Sequence, residues 1–420
     1  MERYTDEKNP DPETVYLIEE VEVQQPKPKR PFWRRCLRVF FAIAGIWMIL
    51  GVFEPVFRRG FGCHRRHHGH RRPHDIMPSE PDMPSLDIPV FDVSPPNMDI
   101  DFNDDIIDDP ERKIPMEHYT FSRSIKTFYI KQESFHKPSR IQVVGNMIVH
   151  ACDKAENISA HFKFHFSDSR LRREIVIQPE RDGIMFKLDP FSPVSTGKIN
   201  ATVMLVIPKE KDYKLDTLRV STIQLPIWIK NSFTTRINAT SFSTVAGKIT
   251  AFGKSSDKNM MDINNLRMHT VNGHIAGEFP LNHALALETT NGKIDANIVS
   301  SNLPEKIGWL KTSSVNGDHK IKFIGHLHPR PMYSKHMSVS GDISVVYPED
   351  WQGGLKLKST SGHIEVDGKG TKVVRKDKSS VGRFWKVIKG DGKSRGSIAT
   401  VSGKIDVFVG EEDNKEELME

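Results

Sequence analysis

The chain is 420 residues long, carries a formal net charge of +6 at pH 7, and is 37% hydrophobic and 27% charged. Three cysteines exclude a disulfide framework, even for an exported domain. The length leaves room for two or three regions, and no nucleic-acid partner and no cofactor are expected.

Residues 1–36 are rich in Pro, Glu and Lys without an apolar period and read as a disordered cytoplasmic tail. Val39–Phe53 is a 15-residue stretch without a charge. Extended to 37–57 it reaches 21 residues, about 31 Å as a helix and enough to cross a hydrocarbon core. Arg38 and Glu54 lie near its ends, where snorkelling is cheap, and Trp33 falls at interface level. A cleaved signal peptide fits less well, because the stretch starts late and no small-x-small site follows it. A buried core helix is the bland alternative. We expect a transmembrane helix at 37–57. Lys27, Lys29, Arg30, Arg34, Arg35 and Arg38 flank the start of its apolar stretch, and Arg58, Arg59, Arg65, Arg66, Arg71 and Arg72 follow it, so flanking charge does not orient it. Three Asn-x-Ser/Thr sequons, at Asn157, Asn200 and Asn238, all lie C-terminal to it. They put the N-terminus in the cytoplasm and the glycosylated C-terminal domain on the lumenal or extracellular side of the bilayer.

Residues 58–74 interleave histidine and arginine around Cys63, His67, His68, His70 and His74. The imidazoles could hold zinc or copper, but the arginines oppose a cation and no carboxylate completes a tetrahedral set. A basic juxtamembrane strip against anionic headgroups is the better reading, with no metal. Residues 75–116 hold ten aspartates from Asp75 to Asp109, many prolines, and no Lys or Arg before Arg112. They read as an acidic, extended stalk.

Residues 117–235 show alternating apolar patterns such as Phe162-Lys-Phe164-His-Phe166, an N-terminal β section that caps the following coil or forms its irregular first rungs. Residues 236–410 repeat one phrase: a Ser/Thr-rich tripeptide, a glycine, then apolar residues at alternate positions. Its glycines are Gly247, Gly273, Gly292, Gly317, Gly341, Gly362 and Gly403, and a degenerate copy at Gly382 splits the long last interval. Eight units of about 22 residues lie in the range of solenoid coils. Each unit reads as two short strands meeting at a glycine corner. An antiparallel meander of Asn-Gly hairpins is the rival. A type I′ hairpin needs positive φ at both central residues, where Ala246, Ser340, Ser361 and Ser402 would be strained. A type II corner asks it only of the glycine. We therefore expect an all-β, parallel β-solenoid or β-roll of about eight or more rungs. His319 stands where the fourth unit should have isoleucine, which suggests a bulge. Residues 411–420 are an acidic tail.

Gly253-Lys-Ser255 is one residue out of register for a phosphate loop, and Gly390-Asp-Gly392 is one residue too long for a dinucleotide fingerprint. A polysaccharide hydrolase or lyase on a β-helix needs paired carboxylates on neighbouring rungs. The outward positions three residues after the glycines, four after Gly382, read Thr250, Ala276, Asp295, Lys320, Ser344, Glu365, Lys386 and Asp406, so acids are expected never to occupy adjacent rungs in that column. No catalytic residue is assigned. Immediately after the glycines stand Lys248, His274, Lys293, Asp318, Asp342, His363, Arg383 and Lys404. Stacked, Lys248, His274, Lys293, His363, Arg383 and Lys404 would form a cationic ladder for an anionic glycan or protein surface. A merely solvated outer face is the alternative.

The units Val345-Val-Tyr-Pro348…Leu355-Lys-Leu-Lys-Ser-Thr-Ser-Gly362-His-Ile364 and Val206-Ile-Pro208…Leu218-Arg-Val220-Ser-Thr222 resemble the "putative adhesin" domain family over roughly residues 140–410. The resemblance implies a right-handed parallel solenoid, often on a membrane anchor, with no agreed catalytic residues. The rungs at His319 and Gly382 depart from the family phrase. The function expected is therefore that of a membrane-anchored binding or adhesion protein, with a carbohydrate-active enzyme as the alternative.

Overall fold

Alternating apolar residues on both sides of a small corner residue give strands that can bury one face each, provided a second sheet covers them. The computed structural model describes residues 116–133, 140–188, 196–209, 213–230, 235–252, 262–300, 307–326 and 330–410. The expected tail, span, His/Arg strip and acidic terminus lie outside these residues, as does all of the stalk except Met116. Among the described residues no helix is long and apolar enough to cross a membrane.

Strands β1 (Met116–Phe121), β2 (Thr127–Gln132), β3 (Arg140–Cys152) and β4 (Ile158–Phe166) lead to a single 3-10 segment, Ser169–Glu174. There follow β5 (Ile175–Glu180), β6 (Gly183–Leu188), β7 (Thr196–Pro208), β8 (Lys214–Thr222) and β9 (Ile227–Lys230). The repeat supplies β10 (Arg236–Thr244), β11 (Ile249–Phe252), β12 (Ile263–Thr270), β13 (Ile275–Leu281), β14 (Ala284–Thr289), β15 (Ile294–Ser300), β16 (Gly308–Ser313) and β17 (His319–Ile324). It ends with β18 (Met332–Ser338), β19 (Ile343–Tyr347), β20 (Gly353–Ser359), β21 (Ile364–Asp367), β22 (Thr371–Ser379), β23 (Gly382–Lys389), β24 (Ser394–Thr400) and β25 (Ile405–Val409).

From β8 to β19 the chain alternates between two sheets, even strands in one and odd strands in the other, and every contact between rungs is parallel. This is a flattened two-sheet coil, and the antiparallel meander is excluded. The 12-stranded sheet runs β1-β4-β7-β3-β9-β11-β13-β15-β17-β19-β25-β21. The 13-stranded sheet runs β22-β23-β20-β24-β18-β16-β14-β12-β10-β8-β2-β6-β5. Both ladders continue without a break from the N-terminal β section, through β9 to β11 and β8 to β10. Register is strict: Ile249, Ile275, Ile294, His319, Ile343, Ile405 and Ile364 form one column, each 0% or 1% exposed.

The corner glycines are required for a reason other than the expected positive φ. None of the seven lies in the left-handed region. Each instead packs directly on a backbone carbonyl of the rung beneath. A Cβ on Gly273 would overlap the oxygen of Gly247, one on Gly292 that of Gly273, and one on Gly317 that of Gly292. The Ser/Thr three places before each glycine completes the elbow. Thr270 Oγ1 donates to the Gly247 carbonyl at 3.0 Å, Thr289 to Gly273 at 3.0 Å and Thr400 to Gly341 at 3.2 Å. On its own rung the same hydroxyl accepts from the glycine amide, as Thr244 does from Gly247 at 3.1 Å. The exposed asparagines before the glycines form a ladder, Asn291 Nδ2 to Asn272 Oδ1 at 2.8 Å and Asn316 Nδ2 to Asn291 Oδ1 at 2.9 Å.

The C-terminal rungs do not follow sequence order. After β19 the chain skips one level to lay β20 and β21 at the far end, and β24 and β25 then return to fill the gap. Gly403 accordingly stacks on the carbonyl of Gly341, and Gly362 on that of Gly403. Gly382 is no corner: with φ +135° it opens β23, which pairs antiparallel with both β22 and β20. The 41-residue interval thus holds a terminal hairpin in place of an eighth rung, because that hairpin covers the edge that the last parallel strand would otherwise leave open.

The expected bulge at His319 is also absent, since His319 aligns with Ile294 and Ile343 in unbroken register. Its ring takes the isoleucine's place inside the coil. Nε2 lies 2.8 Å from Ser314 Oγ, and Nδ1 lies 2.9 Å from Thr312 Oγ1, which is also 2.9 Å from His336 Nδ1. With the Ser314 proton donated to the Gly317 carbonyl at 2.7 Å, the matching assignment has His319 Nε2–H donating to Ser314 Oγ. Thr312 then donates to His319 Nδ1 and accepts from His336 Nδ1–H, leaving the His336 Nε2 lone pair without a partner. Both rings are neutral. Burial depresses the His319 pKa from 6.5 to about 4, against a small opposing pull from Asp318. Burial, with His319 nearby, depresses that of His336 to about 3.

Two outcomes follow for stability. Gly292→Ala should lose about 3 kcal/mol in urea unfolding, the upper end of overpacking costs, because the obstructing atom is backbone. Gly354→Ala, where the nearest atom is 3.9 Å away, should change it by less than about 0.5 kcal/mol. Below pH 6.5 the unfolded histidines take up protons that the folded ones refuse, so stability falls as pH drops toward 4 and is constant above 6.5, by about 1.4 kcal/mol per pH unit for each ring. His319→Ile, matching its column neighbours, should flatten the fall in urea midpoint between pH 7 and pH 4. A slope equal to that of the wild type would remove the buried pair as its source.

Candidate binding faces

Because strands stack in register, any outward residue recurs along the coil at the strand spacing of about 4.8 Å. Function on such a scaffold is a property of columns and not of single loops. The residues following the elbows form one column in the spatial order Lys248, His274, Lys293, Asp318, Asp342, Lys404, His363. The structure brings Lys248, His274 and Lys293 together on consecutive rungs. It separates them from Lys404 and His363 by two aspartates. Arg383, on the antiparallel β23, stands outside the column, with Nη1 2.9 Å from His363 Nδ1.

Charge within this column is largely balanced. Lys293 Nζ lies 3.1 Å from Asp318 Oδ2, and Lys404 Nζ lies 2.6 Å from Glu365 Oε2. The hydrogen bond to Glu365 raises the Lys404 pKa, aided by Asp406 and Asp342. His363 Nε2 is 3.4 Å from Glu365 Oε1. Burial first, and then the ammonium groups of Lys248 and Lys293, hold the His274 pKa below its ordinary value. Its Nδ1 accepts from the Lys293 amide at 2.9 Å.

The expectation that acids never neighbour one another is overturned. With β25 inserted between β19 and β21, Glu365 and Asp406 are register partners on adjacent rungs. The fold-back that creates the pair leaves no trace in local spacing, so no sequence signal could have revealed it. The pair sits on the open outer face, where the Glu365 side chain is 52% exposed and engaged by Lys404 and His363. Among the described residues no group of three or more His, Cys, Asp or Glu side chains could hold a metal ion. Of the sequon residues, Asn200 and Asn238 are exposed and Asn157 is half-buried. Cys152 is a free, half-buried thiol.

Aromatic side chains also stack from rung to rung. Trp309 and Tyr333 lie 4.8 Å apart at 19°, and Trp228 and Phe252 lie 5.1 Å apart at 3°.

No curated protein matches the chain. Among solved structures it is similar to a putative adhesin from Bacteroides fragilis at 11% identity, covering 71% of this chain and 98% of that one, with a TM-score of 0.32. It is similar to a putative cell adhesion protein from Clostridium sporogenes at 11% identity, covering 71% and 100%, with a TM-score of 0.20. It is also similar to a putative lipid binding protein from Parabacteroides distasonis at 11% identity, covering 70% and 97%, with a TM-score of 0.32. Likenesses this distant carry no argument about function. The family model described as Toastrack DUF4097 matches residues 172–408. That span takes in the whole elbow repeat and more than half of the sequence, and the chain belongs to the Toastrack DUF4097 family.

Proposed function

We propose that this chain is a non-catalytic binding protein of adhesion type. In this reading residues 37–57 hold it at a membrane, with the N-terminus in the cytoplasm, the glycosylated β region on the lumenal or extracellular side, and an anionic glycan or protein surface as partner. The observation that supports it is strict rung register, which displays side chains as repeating columns suited to an extended or repetitive partner. In the corner column Lys248, with Lys293 two rungs on and shared with Asp318, is the part offered to an anion, whereas Lys404, His363 and Arg383 cluster around Glu365.

The adjacency of Glu365 and Asp406 favours one alternative, a carbohydrate-active enzyme. Lys404 and His363 both contact the Glu365 carboxylate, which suits a structural ion cluster better than a free acid and base.

Full-length protein passed over immobilised polygalacturonate should be retained, and soluble polygalacturonate incubated with it should keep its length. Release of new reducing ends, lost in a Glu365→Gln variant, would instead establish the enzyme. Replacing Lys248, Lys293, Arg383 and Lys404 together by glutamine should weaken retention about threefold. Unchanged retention would take the corner column out of the reading. Glycosidase-sensitive mobility, together with protection of the β region from protease in sealed membranes, tests the orientation.

A further inference from the structure

The two faces of the coil differ in how charge is arranged. On the 12-stranded sheet, one outward column reads Asp295, Lys320, Ser344, Asp406 and Glu365, with both signs present. On the 13-stranded sheet the central outward column of the same rungs reads Lys311, Lys335, Ser397, Lys356, Lys386 and Arg375. Glu288 neutralises Lys311 from the neighbouring rung. Beyond it, four cations lie along one line of about 19 Å from β18 to β22. Arg395 and Lys358 flank this line, and Asp377, ion-paired to Arg375 at 2.6 Å, is the acid among the outward positions of these strands.

Edge protection accounts for only part of this. Lysines on an edge strand block pairing with other chains, and β22 is such an edge. Lys335, Lys356 and Lys386, however, lie on β18, β20 and β23, each bonded to a strand on both sides. No edge exists there to protect. Lys386 faces Lys356 on one side and Arg375 on the other, and like charges directly across strands oppose sheet formation by about 1 kcal/mol per neighbouring pair in water before screening. Solubility alone is met by mixed signs, as the opposite face shows. The line also depends on the terminal hairpin, whose antiparallel register keeps Lys386 and Arg375 facing outward and carries it two strands past the last parallel rung.

Resting on the binding reading above, we propose that the outer face of the 13-stranded sheet between β18 and β22 docks a linear acidic polysaccharide lying along this column. Charge concentrated in one line, with mostly uncharged positions beside it on β16 to β24, matches a chain more closely than a planar bilayer. Trp309 and Tyr333, at the head of the flanking column, each give one ring face to the other.

The test compares the full-length chain with two charge-matched variants. One is Lys335→Glu/Lys356→Glu/Lys386→Glu on this face. The other is Lys198→Glu/Lys230→Glu/Lys320→Glu on the 12-stranded sheet. Probes are polygalacturonate, dextran sulfate, neutral dextran, oligothymidylate, and phosphatidylcholine vesicles with and without phosphatidylserine. The wild type should bind the two acidic polysaccharides, less tightly as salt rises, and ignore neutral dextran. The first variant should bind them about tenfold more weakly and the second within about twofold of wild type. Lys335→Gln/Lys356→Gln/Lys386→Gln, checked for an unchanged unfolding midpoint, should also bind more weakly and guards against a misfolded variant. Equal losses in both charge-reversed variants would reduce the effect to net charge and end the proposal. Preference for oligothymidylate or phosphatidylserine vesicles over both polysaccharides would end it as well. Wild-type binding that survives in the first variant rejects this face while leaving the broader reading intact, whereas no binding by the wild type rejects both.

Discussion

The coil depends on backbone stacked against backbone at the elbows. From Gly273 onward each elbow glycine lies on the carbonyl of the glycine below, closer than any Cβ would allow, and at most of these elbows a buried Ser or Thr hydroxyl donates to that same carbonyl from the rung above. A carbonyl turned into the coil at a corner would otherwise be a buried acceptor without a donor, a costly arrangement in an apolar interior. The pairing sets the distance between rungs, and that distance fixes the register of everything farther along each strand. Isoleucine columns, aromatic stacks and charge columns all inherit it.

A scaffold pinned at its corners tolerates substitution between them. His319 illustrates this, because a polar ring occupies an aliphatic position without displacing the strand. The surrounding hydroxyls of Thr312 and Ser314 supply its hydrogen bonds. Burial keeps both rings of the Thr312–His319–His336 cluster neutral, which ties this part of the coil to pH more strongly than its aliphatic neighbours are tied.

The same register turns sequence positions scattered over some sixty residues into continuous lines on the surface. At the C-terminal end the chain lays its outermost rung before the one beneath it and closes the sheet with an antiparallel hairpin. One surface feature arises from that path alone, the carboxylates of Glu365 and Asp406 side by side. The hairpin in turn supplies Lys386 and Arg375 to the cationic line that begins at Lys335.

By itself the sequence determined the architecture, because period-2 apolar patterning around a recurring small residue permits few solutions other than stacked pairs of strands. It also marked the elbows, the column membership of Lys248, His274 and Lys293, and the family phrase. It misjudged why glycine recurs, since a requirement for positive φ and a requirement for empty space leave the same residue in the same place. It read His319 as a bulge because polarity at an inward position looks the same as a slip in register. Only the tertiary structure decided the order of the last rungs, the role of Gly382 and the neighbours of each charge. Strand pairing across the fold-back joins residues far apart in the chain through backbone hydrogen bonds, and such bonds are indifferent to which side chains they align.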